Sequence, residues 1–100
     1  MRIRSSHNLT QQEAKDWVSR ELSELLTQFG DSVSDVSHEW DGDSMKFQFK
    51  VGGIASFKGT LKVTGNELDL NLPFPLFARG FEGTAKAEAE RWLDHNLPEA

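Results

Sequence analysis

Residues 36–51 read VSHEWDGDSMKFQFKV. Val36, His38 and Trp40 share one parity, and so do Met45, Phe47, Phe49 and Val51, with Lys46, Gln48 and Lys50 turned the other way. Successive side chains on a pleated chain point to opposite faces, so this alternation marks half-buried strands. Between the two runs, Asp41-Gly42-Asp43-Ser44 is turn chemistry. A tight turn at Gly42-Asp43 sets Trp40 opposite Met45 and His38 opposite Phe47, so that register and hydrophobic pattern agree. The pair reads as a β-hairpin with one apolar face.

The same reasoning extends on both sides. Ala55, Phe57, Gly59, Leu61 and Val63 alternate with Ser56, Lys58, Thr60 and Lys62. A loop from Gly52 to Ile54 sets Phe49 opposite Phe57, whereas a shorter turn would set Phe47 against Lys58; the longer loop is expected. Gly65-Asn66 closes a further hairpin, with Val63 opposite Leu68 and Leu61 opposite Leu70, and Leu72 completes the inner face. Arg2 to Ser6 alternate around Ile3 and are expected to add an edge strand.

Two helices flank these strands. Thr10-Gln11-Gln12-Glu13 is a capping box, and Ala14, Trp17, Val18, Leu22, Leu25, Leu26 and Phe29 follow at spacings of three and four, with Gly30 placed as a C-cap. Near the other end, Phe77, Phe81, Ala85, Ala89, Trp92, Leu93 and Leu97 recur at helical spacing before Pro98, although Gly80 and Gly83 weaken the start. The expected architecture is α+β: a curved antiparallel sheet of four or five strands in the order (β)-α-β-β-β-β-α, with both helices on its apolar face. Residues 1–100 form a single domain.

The segment LPFPLFARGF, residues 72–81, joins the last strand to the second helix. Pro73 and Pro75 turn the chain, since neither can donate a backbone hydrogen bond. Phe77 and Phe81 are assigned to the helix stripe. Phe74 and Leu76 fit neither pattern. They either close the open end of the core or, with Phe77, form an exposed apolar patch of the kind that marks contact with a partner, lipid or polymer.

Composition narrows the functional classes. A formal net charge of −5, from 11 Lys+Arg against 16 Asp+Glu, works against binding nucleic acid or anionic membrane. The chain has no cysteine, which removes disulfides, thiolate metal sites and cysteine nucleophiles. The basic start MRIRSSHNLT has no apolar run behind it, and no run is long enough to span a bilayer, so a cytoplasmic protein is expected.

Little points to catalysis. His7, His38 and His95 lack the spacing of a metal pair, and the simpler readings are a hydrogen-bonded residue near the helix start, a partly buried core residue and a helix C-terminal surface residue. The Asp41 to Ser44 turn lacks the other ligands of a calcium loop. No nucleophile elbow or phosphate loop occurs. Lys46, Lys50, Lys58 and Lys62 project from the outer sheet face without aromatics between them and read as a solvated face rather than a nucleic-acid site. Trp17 and Trp92 read as core. No enzyme activity, metal or cofactor is expected.

The whole pattern resembles the polyhydroxyalkanoic acid system family, small bacterial proteins encoded near polyhydroxyalkanoate granule genes. The resemblance rests on His7 and Leu9 ahead of a capped helix containing Ala14, then Trp40, Gly42 and Asp43, then Phe47 and Phe49. It continues through Gly59, Thr60, Leu61 and Val63, Leu68 and Leu70, and Leu93 with Asp94. It spans nearly the whole chain and implies an intracellular protein of granule metabolism, with a place at the granule surface and granule polymer or granule proteins as partners; it carries no reaction. Two expectations follow. One is a non-enzymatic accessory protein touching the granule through Phe74, Leu76 and Phe77. The alternative is a binding module for a small apolar or acyl ligand, in a cavity between sheet and helices lined by Phe49, Phe57 and Trp92. Self-association through an edge strand or the apolar corner would need no ligand.

Overall fold

Hairpin connections this short leave the strands little choice of neighbour, and in the computed structural model they form one antiparallel sheet. Residues 1–29, 32–53, 55–74 and 76–97 are described, without the side chains of residues 29 and 76–78. The chain runs β1 (Arg2–Ser6), α1 (Gln11–Leu26), β2 (Val33–Asp41), β3 (Ser44–Val51), β4 (Ala55–Val63), β5 (Glu67–Asn71) and α2 (Glu82–Asn96). The spatial order is β1-β5-β4-β3-β2, so the first strand crosses over to pair with the last.

The registers are those that the apolar pattern requires. Trp40 lies opposite Met45 and His38 opposite Phe47. Phe49 lies opposite Phe57, and Val63 and Leu61 oppose Leu68 and Leu70. In β2, Val33 and Val36 both face inward although they are three residues apart. A bulge between Ser34 and Ser37 absorbs the extra residue, with Asp35 at φ 53. Aspartate tolerates that left-handed conformation better than most residues, and Lys50 pairs with its carboxylate at 3.7 Å.

One face of the sheet is buried beneath the helices. Met45, Phe47, Phe49, Leu61, Val63, Leu70 and Leu72 pack there against Trp17, Val18, Leu22, Leu26, Ala89 and Leu93. Phe47, Phe49 and Phe57 form a stack, with centroids 6.2 and 5.1 Å apart and planes within 12° and 7° of parallel. Between the helices, the Trp17 and Trp92 rings meet at 5.6 Å. Burial of this many large rings supplies the main folding drive, about 1.5–3 kcal/mol for each fully buried large side chain.

Helix α1 starts at the expected box: the Thr10 hydroxyl accepts from the Glu13 N–H at 3.2 Å, and the Glu13 carboxylate accepts from the Thr10 N–H at 3.0 Å. Those bonds, the backbone one foremost, hold the Glu13 carboxyl below its ordinary range. The helix passes at Thr27 into a 3-10 turn, Thr27–Phe29; the expected cap at Gly30 lies outside the described residues. Ile54, Pro75 and Pro98 also lie outside them. Helix α2 ends where Leu97, the residue before a proline, turns extended at φ −85 and ψ 125.

Three expectations need correction. Phe74 does not leave the strand pattern: it continues the inward parity of Leu70 and Leu72, is 9% exposed, and meets the Phe57 ring edge-on at 5.3 Å. Phe81 is not in the α2 stripe but 71% exposed. A 3-10 turn, Leu76–Phe81, precedes the helix, and its tighter winding carries residue 81 off the buried stripe. His38 is exposed rather than core, because it sits on β2, the edge strand farthest from β1.

At the other edge, Arg2 grips Asp69 on β5 with two nitrogens, at 3.0 and 2.7 Å. The Arg2 hydrogen bond, with its charge, holds the Asp69 carboxyl below its usual value near 3.8. A carboxyl depressed by folding contributes stability above the unfolded pKa and loses it as pH falls through the folded one. Asp69→Asn is therefore expected to lower the urea midpoint slightly at neutral pH and to leave it unchanged well below pH 3.8, where the wild-type pair is already lost; equal losses at both pH values would show that the pair carries no charge-dependent stability.

Candidate functional site

His7 is the one buried charged or polar residue among those described, at 1% exposure. Its Nδ1 accepts from the Leu9 N–H at 3.2 Å, which leaves the ring proton on Nε2, donated to the Thr64 carbonyl at 3.0 Å. Its own N–H donates to Asn66 at 3.0 Å. The ring ties the start of α1 to the β4–β5 turn, and both nitrogens are spent on backbone. Gln11 repeats the tie by donating to the Val63 carbonyl at 2.9 Å. The expectation of local hydrogen bonding near the helix start thus grows into a long-range pin.

Trp40 does the equivalent for the β2–β3 hairpin. Its Nε1–H donates to the Ser19 hydroxyl at 3.0 Å, while Lys15 of α1 lies 4.9 Å from the ring centroid and donates to the Gly42 carbonyl at 2.9 Å. Gly42 itself, at φ 63, occupies a conformation that favours glycine. These side chains tie α1 to the hairpin.

The residues expected to line a cavity behind the sheet are engaged with other rings. Phe49 and Phe57 are 1% and 5% exposed and stacked on each other, and Trp92 lies against Trp17. Of the expected apolar patch, Phe74 is core, and the Leu76 and Phe77 side chains lie outside the described ones. What the corner does expose is Phe81, preceded by exposed Arg79 and Gly80 and followed after Glu82 by exposed Gly83 and Thr84. Gly80 was the available signal: it lies in the 3-10 turn ahead of the helix, and Phe81 beside it loses its place in the stripe.

A hollow of about 580 Å³ lies on the opposite, outer face of the sheet. Its floor is the peptide backbone of His38, Phe47 and Gly59, a row of directly paired residues, and its walls are outward side chains flanking that row. Register places Lys46 opposite Thr60 and Gln48 opposite Lys58, with Asn71 beyond Thr60 and Glu39 across from Lys46. Every one of these was legible as outward-facing. That they border one hollow is something alternation does not reveal.

Among the described residues no cluster of three or more His, Asp or Glu side chains is arranged to hold a metal ion, and no helix is long and apolar enough to cross a membrane.

A five-stranded antiparallel sheet with two helices on one face, a buried histidine pin and an open trough on the other face defines a small α+β domain, with its surface features at one corner and on the bare sheet face. Residues 1–97 match the family model of the polyhydroxyalkanoic acid system proteins, and the chain belongs to that family. No curated protein and no solved structure matches it. The residues that carried the resemblance now have physical roles: His7 and Trp40 are pins, Gly42 makes the turn, and Gly59 admits the Phe47 ring.

Proposed function

We propose that this chain is a non-enzymatic accessory protein of the polyhydroxyalkanoate system, acting in the cytoplasm at the surface of storage granules, and that Phe81 makes the apolar contact with the granule polymer. The observation that carries this reading is the exposure of Phe81, at 71%, the one large apolar side chain left in water among the described residues. A phenylalanine held on a 3-10 turn is presented on a fixed backbone, so burying it against a greasy surface costs little ordering entropy. Family membership supplies the kind of surface.

The test is cofractionation with isolated granules. Phe81→Ser removes an exposed ring and is expected to leave the thermal midpoint within a degree or two, because exposed substitutions of this kind usually change stability by less than about 0.5 kcal/mol. The affinity for granules should fall at least about tenfold, since burial of such a ring is worth roughly 1.5–3 kcal/mol. Undiminished association of a folded Phe81→Ser protein would overturn the proposal.

A further inference from the structure

We infer that the outer-face trough is a binding site for a small phosphorylated molecule, separate from the apolar contact at Phe81. Lys62, off the trough, stands opposite Asp69 in the register and makes no ion pair among the described residues; the other cations of the outer face fall into two groups. Arg2 and Arg4 lie with Asp69 at 2.7 and 3.8 Å, and Lys50 lies with Asp35 at 3.7 Å. Lys46 and Lys58, the two that line the trough, take part in no ion pair among the described residues.

Their placement is specific. Lys46 faces Thr60 and Lys58 faces Gln48 across the same strand pair, so the two ammonium groups stand on one diagonal of a four-residue block, with a hydroxyl and an amide on the other. Diagonal neighbours on one sheet face are about 7 Å apart, close enough for two flexible lysines to converge on one anion. Two cations match the dianion of a phosphate monoester, and Thr60, Gln48 and Asn71 can donate to its remaining oxygens.

The rest of the trough suits the body of such a ligand. The Glu39 carboxylate, across from Lys46, accepts from hydroxyl groups and disfavours a second phosphate. The volume of about 580 Å³ is that of a small-molecule site. A nucleic acid fits less well. The outward side chains of the trough include no aromatic ring for stacking bases, since Phe47 is turned inward and 3% exposed.

The experiment is titration of the labelled protein with glycerol 3-phosphate and with inorganic phosphate, followed by amide chemical shifts at constant ionic strength, with acetate as the carboxylate arm. Saturable shifts are expected at Lys46, Gln48, Lys58 and Thr60 with both phosphates and not with acetate. The double variant Lys46→Gln/Lys58→Gln should bind about tenfold more weakly or not at all, while Lys50→Gln on the same face binds as wild type. Both change only exposed side chains, so the spectrum itself reports whether the fold is kept. The inference is overturned if shifts stay linear through millimolar phosphate, if acetate gives the same pattern, if the double variant binds unchanged, or if a single-stranded oligonucleotide binds the trough more tightly than glycerol 3-phosphate.

Discussion

Alanine at position 59 is expected to destabilise the protein by about 2–3 kcal/mol, the upper part of the range for overpacking a close-packed interior. A Cβ there would lie 2.7 Å from Phe47 Cζ, 2.8 Å from the Asn71 carbonyl oxygen and 3.0 Å from Leu72 Cδ1. None of the three yields easily. The carbonyl is backbone on a neighbouring strand, Leu72 is fully buried, and Phe47 is pinned in the stack with Phe49 and Phe57. For a domain of this length the loss corresponds to a fall in Tm of about 10–20 °C. Gly65→Ala is the control: nothing lies within 4 Å of its Cβ position, so a change of less than about 1 kcal/mol is expected. Similar midpoints for the two variants in urea would show that the strand contact at Gly59 is not tight.

Replacing His7 with alanine is expected to cost about 3 kcal/mol, from a lost buried ring and two stranded backbone groups, the Leu9 N–H and the Thr64 carbonyl. The prediction has an internal check. Asparagine places its oxygen near the Nδ1 position and restores one bond, while glutamine places its amide nitrogen near the Nε2 position and restores the other. Each is expected to recover roughly half of the loss. If His7→Asn and His7→Gln were as unstable as His7→Ala, the histidine would matter for its volume and not for its hydrogen bonds.

The elements that sequence reveals best here are those in which two independent signals coincide. Glycine-containing turns and inward parity both specify the β2–β3, β3–β4 and β4–β5 pairings, and a one-residue slip in any of them would turn Phe47, Phe49 or Leu61 into water. The pairing of β1 with β5 is harder to see, because two short strands far apart share no turn. The chain after Asn71 misleads for a different reason. Phe74 obeys strand parity beyond the end of the strand, where the flanking prolines argue for a bend, and Phe81 obeys helical spacing before the helix has begun. Periodicity reports a face only where the backbone has that period. The trough is a third case: its residues are readable one by one as outward, but alternation does not say that they border one hollow.

The crossed order β1-β5-β4-β3-β2 also sets a sequence of events in time. The four later strands form a meander whose neighbours are joined by short turns, so each hairpin can close with little loss of chain entropy. The first strand cannot join until the last is laid down: its bond from Arg2 to Asp69 spans 67 residues. Such a contact is expected to form late in folding, because the entropy of closing a long loop is spent before the contact returns anything. The strand made before the other four is thus expected to join the sheet after them, with His7 at its end as the latch that closes behind it.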